Sequence, residues 1–257
     1  MRSELLRFDD WVSPVPAVPR EVVSALPDGR DEDRPPLLFV PGLCHGAWAF
    51  AEHWVDHTAT RGFAAYAVSP RDRCDLRTYA HDVIQVAASL PRQAVLVGHG
   101  TGALVVARVL GRYPARAAVM AAPVLDGWGA FGAALRANPF GTLPGRLRLG
   151  PRQLFGSGLT DAAAAAYLGR LRAPGIRAQV ELVRHRAPPR PVGHPPVLVV
   201  GSPDDRVVPR SSLDRTAGRY GTAPLLFTGM GHDLMLDTGW VEPIDAILDW
   251  LGKELAA

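Results

Sequence analysis

The chain of 257 residues is 47% hydrophobic, long enough to bury one large core, and α/β chains of this size usually form a single domain. Its formal charge of +3 and isoelectric point near 9.2 come from arginine, since Lys253 is the only lysine. No basic run interleaved with aromatics marks a nucleic-acid groove, so no nucleic-acid partner is expected. There is no apolar run of about 18 residues, and Glu4, Arg7, Asp9 and Asp10 interrupt the N-terminal stretch where a secretory signal would need an apolar core. The expectation is a soluble, cytoplasmic protein with no membrane partner.

Residues 1–34 are cut by Pro14, Pro16, Pro19 and Pro27 and leave an edge strand, a hairpin or loosely ordered chain open. From Pro36 the pattern sharpens. Leu37–Val40 has the length and apolarity of a buried strand, followed by the loop Pro41-Gly42-Leu43-Cys44-His45-Gly46-Ala47-Trp48 and a helix to about Thr60. Phe63–Val68 is the next strand. Leu76, Tyr79, Val83, Val86, Ala87 and Leu90 recur at helical spacing, which predicts an amphipathic helix over Leu76–Leu90.

Ala94–Val97 then runs as a strand into Gly98-His99-Gly100-Thr101-Gly102 and an apolar helix. Strand, sharp turn and helix follow within a dozen residues. Ala117–Ala121 is a further strand, after which the rhythm stops between about Asp126 and Pro191. That interval holds helical patterns only at Asp161–Arg172 and Ile176–His185. A long departure inside a regular alternation is read as a cap, dividing the chain into a core of residues 1–125 and 192–257 and an insertion of 126–191. The alternation resumes with strand Val197–Val200, a helix near Arg210–Arg219, strand Pro224–Phe227 and a helix over Glu242–Leu255. Alternating strands and helices predict an α/β fold with a mostly parallel sheet covered on both faces. Sites in such sheets gather at the carboxyl ends of the strands.

Three loops at those ends carry chemically useful residues. The turn at Gly98–Gly102 is similar to the G-x-S-x-G nucleophile elbow of α/β-hydrolases, with Gly100 at the place of the attacking serine. The Pro41–Trp48 loop resembles the H-G-x-x-H-G-A-W segment of α/β-hydrolases related to plant methylesterases and hydroxynitrile lyases, and of many bacterial members. Pro41 stands where those proteins carry histidine. The loop Gly201-Ser202-Pro203-Asp204-Asp205-Arg206-Val207-Val208-Pro209 resembles the family's acid loop, and Gly229-Met230-Gly231-His232-Asp233 its histidine loop. The resemblance covers about Pro36–Leu251 apart from the cap.

It implies an α/β-hydrolase fold, Asp205 and His232 as catalytic acid and base, and backbone donors at Leu43 and Thr101 forming an oxyanion hole. His45, Trp48 and His99 are candidate substrate-binding residues, with packing roles as the alternative. As substitute nucleophiles, Cys44 and Cys74 follow strand ends, and Thr101 is expected to turn its side chain away from the site. Asp126 is an alternative acid, and Ser157 and Tyr167 belong to the presumed cap. The two cysteines suggest neither a disulfide framework nor metal-ligand spacing, and no cofactor or metal is expected.

Without a nucleophile, acyl-enzyme hydrolysis loses on the order of a million-fold in turnover. A histidine base facing two backbone donors can still abstract a proton from a carbon acid or phenol. The leading expectation is base catalysis on a ketonic or phenolic, possibly polycyclic, small molecule of natural-product type, leading to cofactor-independent oxygenation or carbon–carbon bond change. Hydrolysis of a small ester by histidine-activated water, or ligand binding without turnover, are the alternatives.

Overall fold

The structure, a computed structural model, describes residues 20–29, 34–125, 132, 149–184 and 187–256. Asp126 and much of the presumed cap lie outside the described residues. Seven strands form one sheet: β1 (Val22–Ala25), β2 (Leu37–Val40), β3 (Ala65–Val68), β4 (Val95–His99), β5 (Ala117–Ala121), β6 (Val197–Gly201) and β7 (Leu225–Leu226). Their spatial order is β1-β3-β2-β4-β5-β6-β7. Only β1 is antiparallel, pairing with β3 at the edge; the other described pairs are parallel.

The central strands are apolar on both faces because both faces are covered. Leu37 and Phe39 of β2, Val95 and Val97 of β4, and Ala117 and Val119 of β5 join one core cluster. Their alternates Leu38, Val40, Leu96, Ala118 and Met120 join the other, as the period of two requires. The first face is covered by α1 (Trp48–Ala51), α2 (Trp54–Thr60) and the C-terminal helix, here α9 (Val241–Ala256), which contribute Phe50, Trp54, Ile244, Ile247 and Leu251. The second is covered by α3 (Leu76–Ser89) and α4 (Thr101–Val109), through Leu76, Tyr79, Val83, Leu104 and Val105.

Between β5 and β6 lie α5 (Pro151–Leu154), α6 (Asp161–Arg170) and α7 (Ile176–Arg184), and α8 (Arg210–Arg219) follows β6. The helix expected over Trp48–Thr60 is two helices, because His53 adopts φ −143° between them, outside the helical region. The strand expected at Pro224–Phe227 shrinks to Leu225–Leu226, since it borders only β6 and pairs through two residues.

The sheet's connectivity sets the position of the site. β2 is flanked by β3 and β4, so the chain leaves in opposite directions on its two sides and a crevice opens at the carboxyl ends between β2 and β4. Val40 at the end of β2 pairs with Gly98 at the end of β4. The Pro41–Ala47 loop and the Gly100 turn therefore start side by side.

Candidate active site

The β4–α4 turn is shaped by glycine. A Cβ on Gly98 would lie 2.6 Å from the Ala103 backbone, and one on Gly102 would lie 2.1 Å from the Val40 carbonyl oxygen. The two glycines let α4 begin directly against β4 and the end of β2. Gly100, at the apex, has φ 55° and ψ −120°, a conformation costly for side chains with a Cβ. Its amide donates to the Ala121 carbonyl (3.0 Å), and its carbonyl accepts from Val124 (2.9 Å) and Ala103 (3.2 Å). The turn is thus fixed between β5 and α4.

His232 and Asp205 meet across the next two strand ends. His232 Nδ1 donates to Asp205 Oδ2 at 2.8 Å, while Asp205 Oδ1 accepts from the amides of Val207 (2.7 Å) and Val208 (2.9 Å). Both side chains are buried. Two further bonds join their loops. Ser202 Oγ donates to the Met230 carbonyl at 2.8 Å, and the exposed Asp204 accepts from the Gly229 amide at 2.7 Å. Because Nδ1 carries the proton toward the carboxylate, neutral His232 leaves its lone pair on Nε2. That nitrogen points at the turn: a Cβ built on Gly100 would be 3.1 Å from it. Burial pulls the His232 pKa down, but the Asp205 charge and hydrogen bond, with Asp233 behind them, outweigh it and raise the pKa above the ordinary histidine value.

The oxyanion loop differs from expectation at Thr101. Its side chain does not turn away: Oγ1 accepts from the Leu43 amide at 2.8 Å. A threonine at the first position of α4 faces the loop after β2 because those two segments leave neighbouring strands. The Leu43 donor is therefore engaged, and the Thr101 hydroxyl proton remains to be directed elsewhere.

Beneath this surface lies a second buried group that sequence reasoning did not assemble. His45 Nε2 donates to Asp233 Oδ2 at 2.9 Å, and His99 Nε2 donates to the His232 carbonyl at 3.1 Å, 3.5 Å from Asp233 Oδ1. Asp233 also donates its amide to the Leu154 carbonyl at 2.8 Å. Burial would raise the Asp233 pKa, but the adjacent, hydrogen-bonded His45 outweighs it and holds Asp233 below the usual carboxylate value. Desolvation, with His232 nearby, pushes His99 down to about 3, so it stays neutral.

His45, His99 and Asp233 bring potential ligand atoms within 4.8 Å of one another, a donor set of the kind transition metals take. Yet each Nε2 faces an oxygen that only accepts, so each carries hydrogen and has no lone pair there for a metal. The group is a hydrogen-bonded support under the histidine loop. Nothing in the spacing of these residues signals it, since His45 and Asp233 lie 188 positions apart.

A cavity of about 420 Å³ opens beside this group, lined in part by Leu43, His45, Trp48 and Cys74. His99, Gly100, Thr101, Asp205 and His232 are not among its lining residues. Of the three residues expected to bind substrate, His45 and Trp48 border the cavity and His99 is packed below it, 1% exposed. Tyr167 of α6 stacks on Trp48 with ring centroids 6.3 Å apart, whereas Ser157 is exposed outside the cavity lining. The thiols are poor nucleophiles: burial, aided by Asp233, pushes Cys44 up to about 12, and burial, aided by Asp82 and Asp75, pushes Cys74 up to about 11.

Residues 37–249 match the model of the alpha/beta hydrolase family, whose span takes in the strand-end loops just described. The chain belongs to the alpha/beta hydrolase family. Solved structures similar to this hydrolase chain include an esterase from a Rhodococcus species (TM-score 0.69, 20% identity, covering 93% of this chain and 95% of that one). A Paleococcus ferrophilus monoacylglycerol lipase gives TM-score 0.68 at 18% identity over 92% of this chain and all of the other. A Bacillus anthracis bromoperoxidase gives 0.67 at 16% identity over 92% and 97%. At these identities the likeness is one of fold. No curated protein matches the chain. Among the described residues, no helix is long and apolar enough to cross a membrane.

Proposed function

We propose that this hydrolase-fold protein is an enzyme that uses His232, steered by Asp205, as a general base on a ketonic or phenolic small molecule, without a serine nucleophile and without a cofactor. The observation that carries the reading is the His232 Nε2 lone pair aimed at Gly100, where no side chain can attack a carbonyl. In this scheme Nε2 removes a proton from a carbon α to a ketone or from a phenol, and the imidazolium formed is held by the Asp205 carboxylate. The enolate or phenolate is stabilised by the Thr101 amide and hydroxyl at the start of α4, the positive end of the helix dipole. That anion then reacts directly with dissolved O₂, which is the oxidant and the source of the oxygen gained, or undergoes carbon–carbon bond change without any oxidant.

The α5–α7 segment serves as the cap. Arg172 of the stretch after α6 donates its amide to the Cys44 carbonyl at 2.9 Å, which ties the segment to the loop after β2.

The test is exchange of the α-protons of a panel of polycyclic ketones with D₂O, followed by proton NMR, with oxygen uptake measured in parallel on the ketones and on polycyclic phenols. Wild type should exchange at least one member, and His232→Ala should lose about 10²–10⁴-fold in rate. Equal exchange by wild type and His232→Ala overturns the reading. A second reading, hydrolysis by His232-activated water, is favoured by the family and by the esterase and lipase neighbours. It predicts ¹⁸O from labelled water in the product of an ester probe.

A further inference from the structure

We infer that the 420 Å³ cavity is an anion-recognition subsite, built to hold an aromatic carboxylate against the loop after β2. The inference deepens the proposed function and rests on it only for the claim that the ligand is a substrate.

Four arginines line the cavity, Arg71, Arg73, Arg170 and Arg172, against two acids, Glu21 and Asp72. Two of the four are already committed. Arg71 makes paired bonds to the buried Asp82 at 2.6 and 2.8 Å. Arg170 bonds Glu52 at 3.0 Å and lies 4.2 Å from the centroid of the Trp48 ring. Glu21 is also engaged, accepting from Ser69 Oγ at 2.6 Å. Among the described residues, Arg73 and Arg172 have no carboxylate partner, which leaves their N–H donors to a ligand, although Glu21 and Asp72 in the same lining offset the net charge of that pair.

Arg73 has φ 50°, a left-handed conformation that costs a non-glycine residue of order 1 kcal/mol and is found where structure around it enforces it. Gly175 packs close against it, since a Cβ there would lie 3.1 Å from the Arg73 carbonyl oxygen. Arg172 is fixed by its amide bond to Cys44, the residue next to Leu43. The two arginines thus come from two segments, one before α3 and one after α6, that border the same cavity.

Guanidinium pairs suit a planar carboxylate, which accepts two parallel N–H bonds. Trp48, packed with Tyr167 and Arg170, adds an aromatic side chain to the lining, and the volume is within the range of small-molecule sites. Leu43 and His45 also border the cavity, so a ligand anchored on the arginines extends from the rim toward the loop after β2.

The probe is 1-hydroxy-2-naphthoate, compared with 1-naphthol, its uncharged counterpart. Calorimetric titration of the full chain at low salt should give about tenfold or greater preference for the carboxylate, weakened by added salt. R73Q/R172Q changes two exposed side chains and should retain the wild-type melting temperature while losing that preference. H232A should bind the naphthoate as wild type does. Equal binding of the two probes, or naphthoate binding unaffected by R73Q/R172Q, overturns the inference. Failure of proton exchange with intact naphthoate binding would instead overturn base catalysis and leave the anion site standing.

Discussion

Gly100 and His232 define one narrow space, and each limits what the other can do. A serine introduced at position 100 would inherit φ 55° and place its Cβ 3.1 Å from the imidazole Nε2, so the ring must yield by a few tenths of an ångström. Gly100→Ser is expected to cost about 1–3 kcal/mol of stability, seen as a lower melting temperature. It should also raise p-nitrophenyl acetate cleavage above the wild-type level; no rise would mean that the site has departed from hydrolase geometry.

Protonation gives an independent handle on the same residue. A base must be unprotonated to act, and the His232 pKa is raised above 6.5 by Asp205 despite its burial. Proton-exchange rates should therefore climb with pH through a midpoint above 6.5. In Asp205→Asn that midpoint should move down, with a rate loss of about 10²-fold or more. A midpoint that does not move would remove Asp205 from its assigned part.

At the scale of the element, glycines that look alike in sequence have opposite expected effects. Gly102 sits at the start of α4 with the Val40 carbonyl oxygen 2.1 Å from where a Cβ would go. Neither the β2 backbone nor the helix start can retreat without breaking sheet or helix hydrogen bonds, so Gly102→Ala should cost about 3 kcal/mol or more. Gly252 lies inside α9 with nothing within 4 Å of a built Cβ. There Gly252→Ala should stabilise by about 0.5–1 kcal/mol. Urea melts of the two variants check both signs, and similar midpoints for the two would contradict the steric account.

The elements that bear the site were legible because each rests on a local signal. Unbroken apolar runs of strand length mark β2, β4, β5 and β6, and the helical spacing of Leu76, Tyr79, Val83 and Val86 marks α3. The break at His53 and the shortening of β7 were not legible, since both depend on what the neighbouring element can reach.

Across the whole molecule, buried histidines tie stability to pH in two directions. His99 is held neutral in the fold, with a pKa lowered from 6.5 to about 3 by burial and by His232. Between those values the unfolded chain binds a proton that the folded one does not, so stability falls on acidification, by up to about 1.4 kcal/mol per pH unit. Asp233, with its folded pKa below 3.8, contributes stability above that value and loses it in stronger acid. His232 acts oppositely: its raised pKa stabilises the fold below 6.5 and that contribution is lost as pH rises through the folded value. The melting temperature should thus be greatest near pH 6.5, and His99→Asn should flatten the acid limb. An acid limb of wild-type slope in that variant would locate the pH dependence elsewhere.

The central alternation of strands and helices and the glycine turn before α4 were determined by the sequence alone, each encoded in contiguous residues whose apolar period or turn chemistry acts locally; the Asp205 and His232 loops were picked out by their resemblance to the α/β-hydrolase family. Tertiary structure decided the rest: the Thr101 hydroxyl on the Leu43 amide, the support of His232 by His45, His99 and Asp233, and the presence of Arg73 and Arg172 in the lining of one cavity. These arrangements join residues distant in sequence, and no local pattern records a distance that exists only once the sheet has brought its carboxyl edge together.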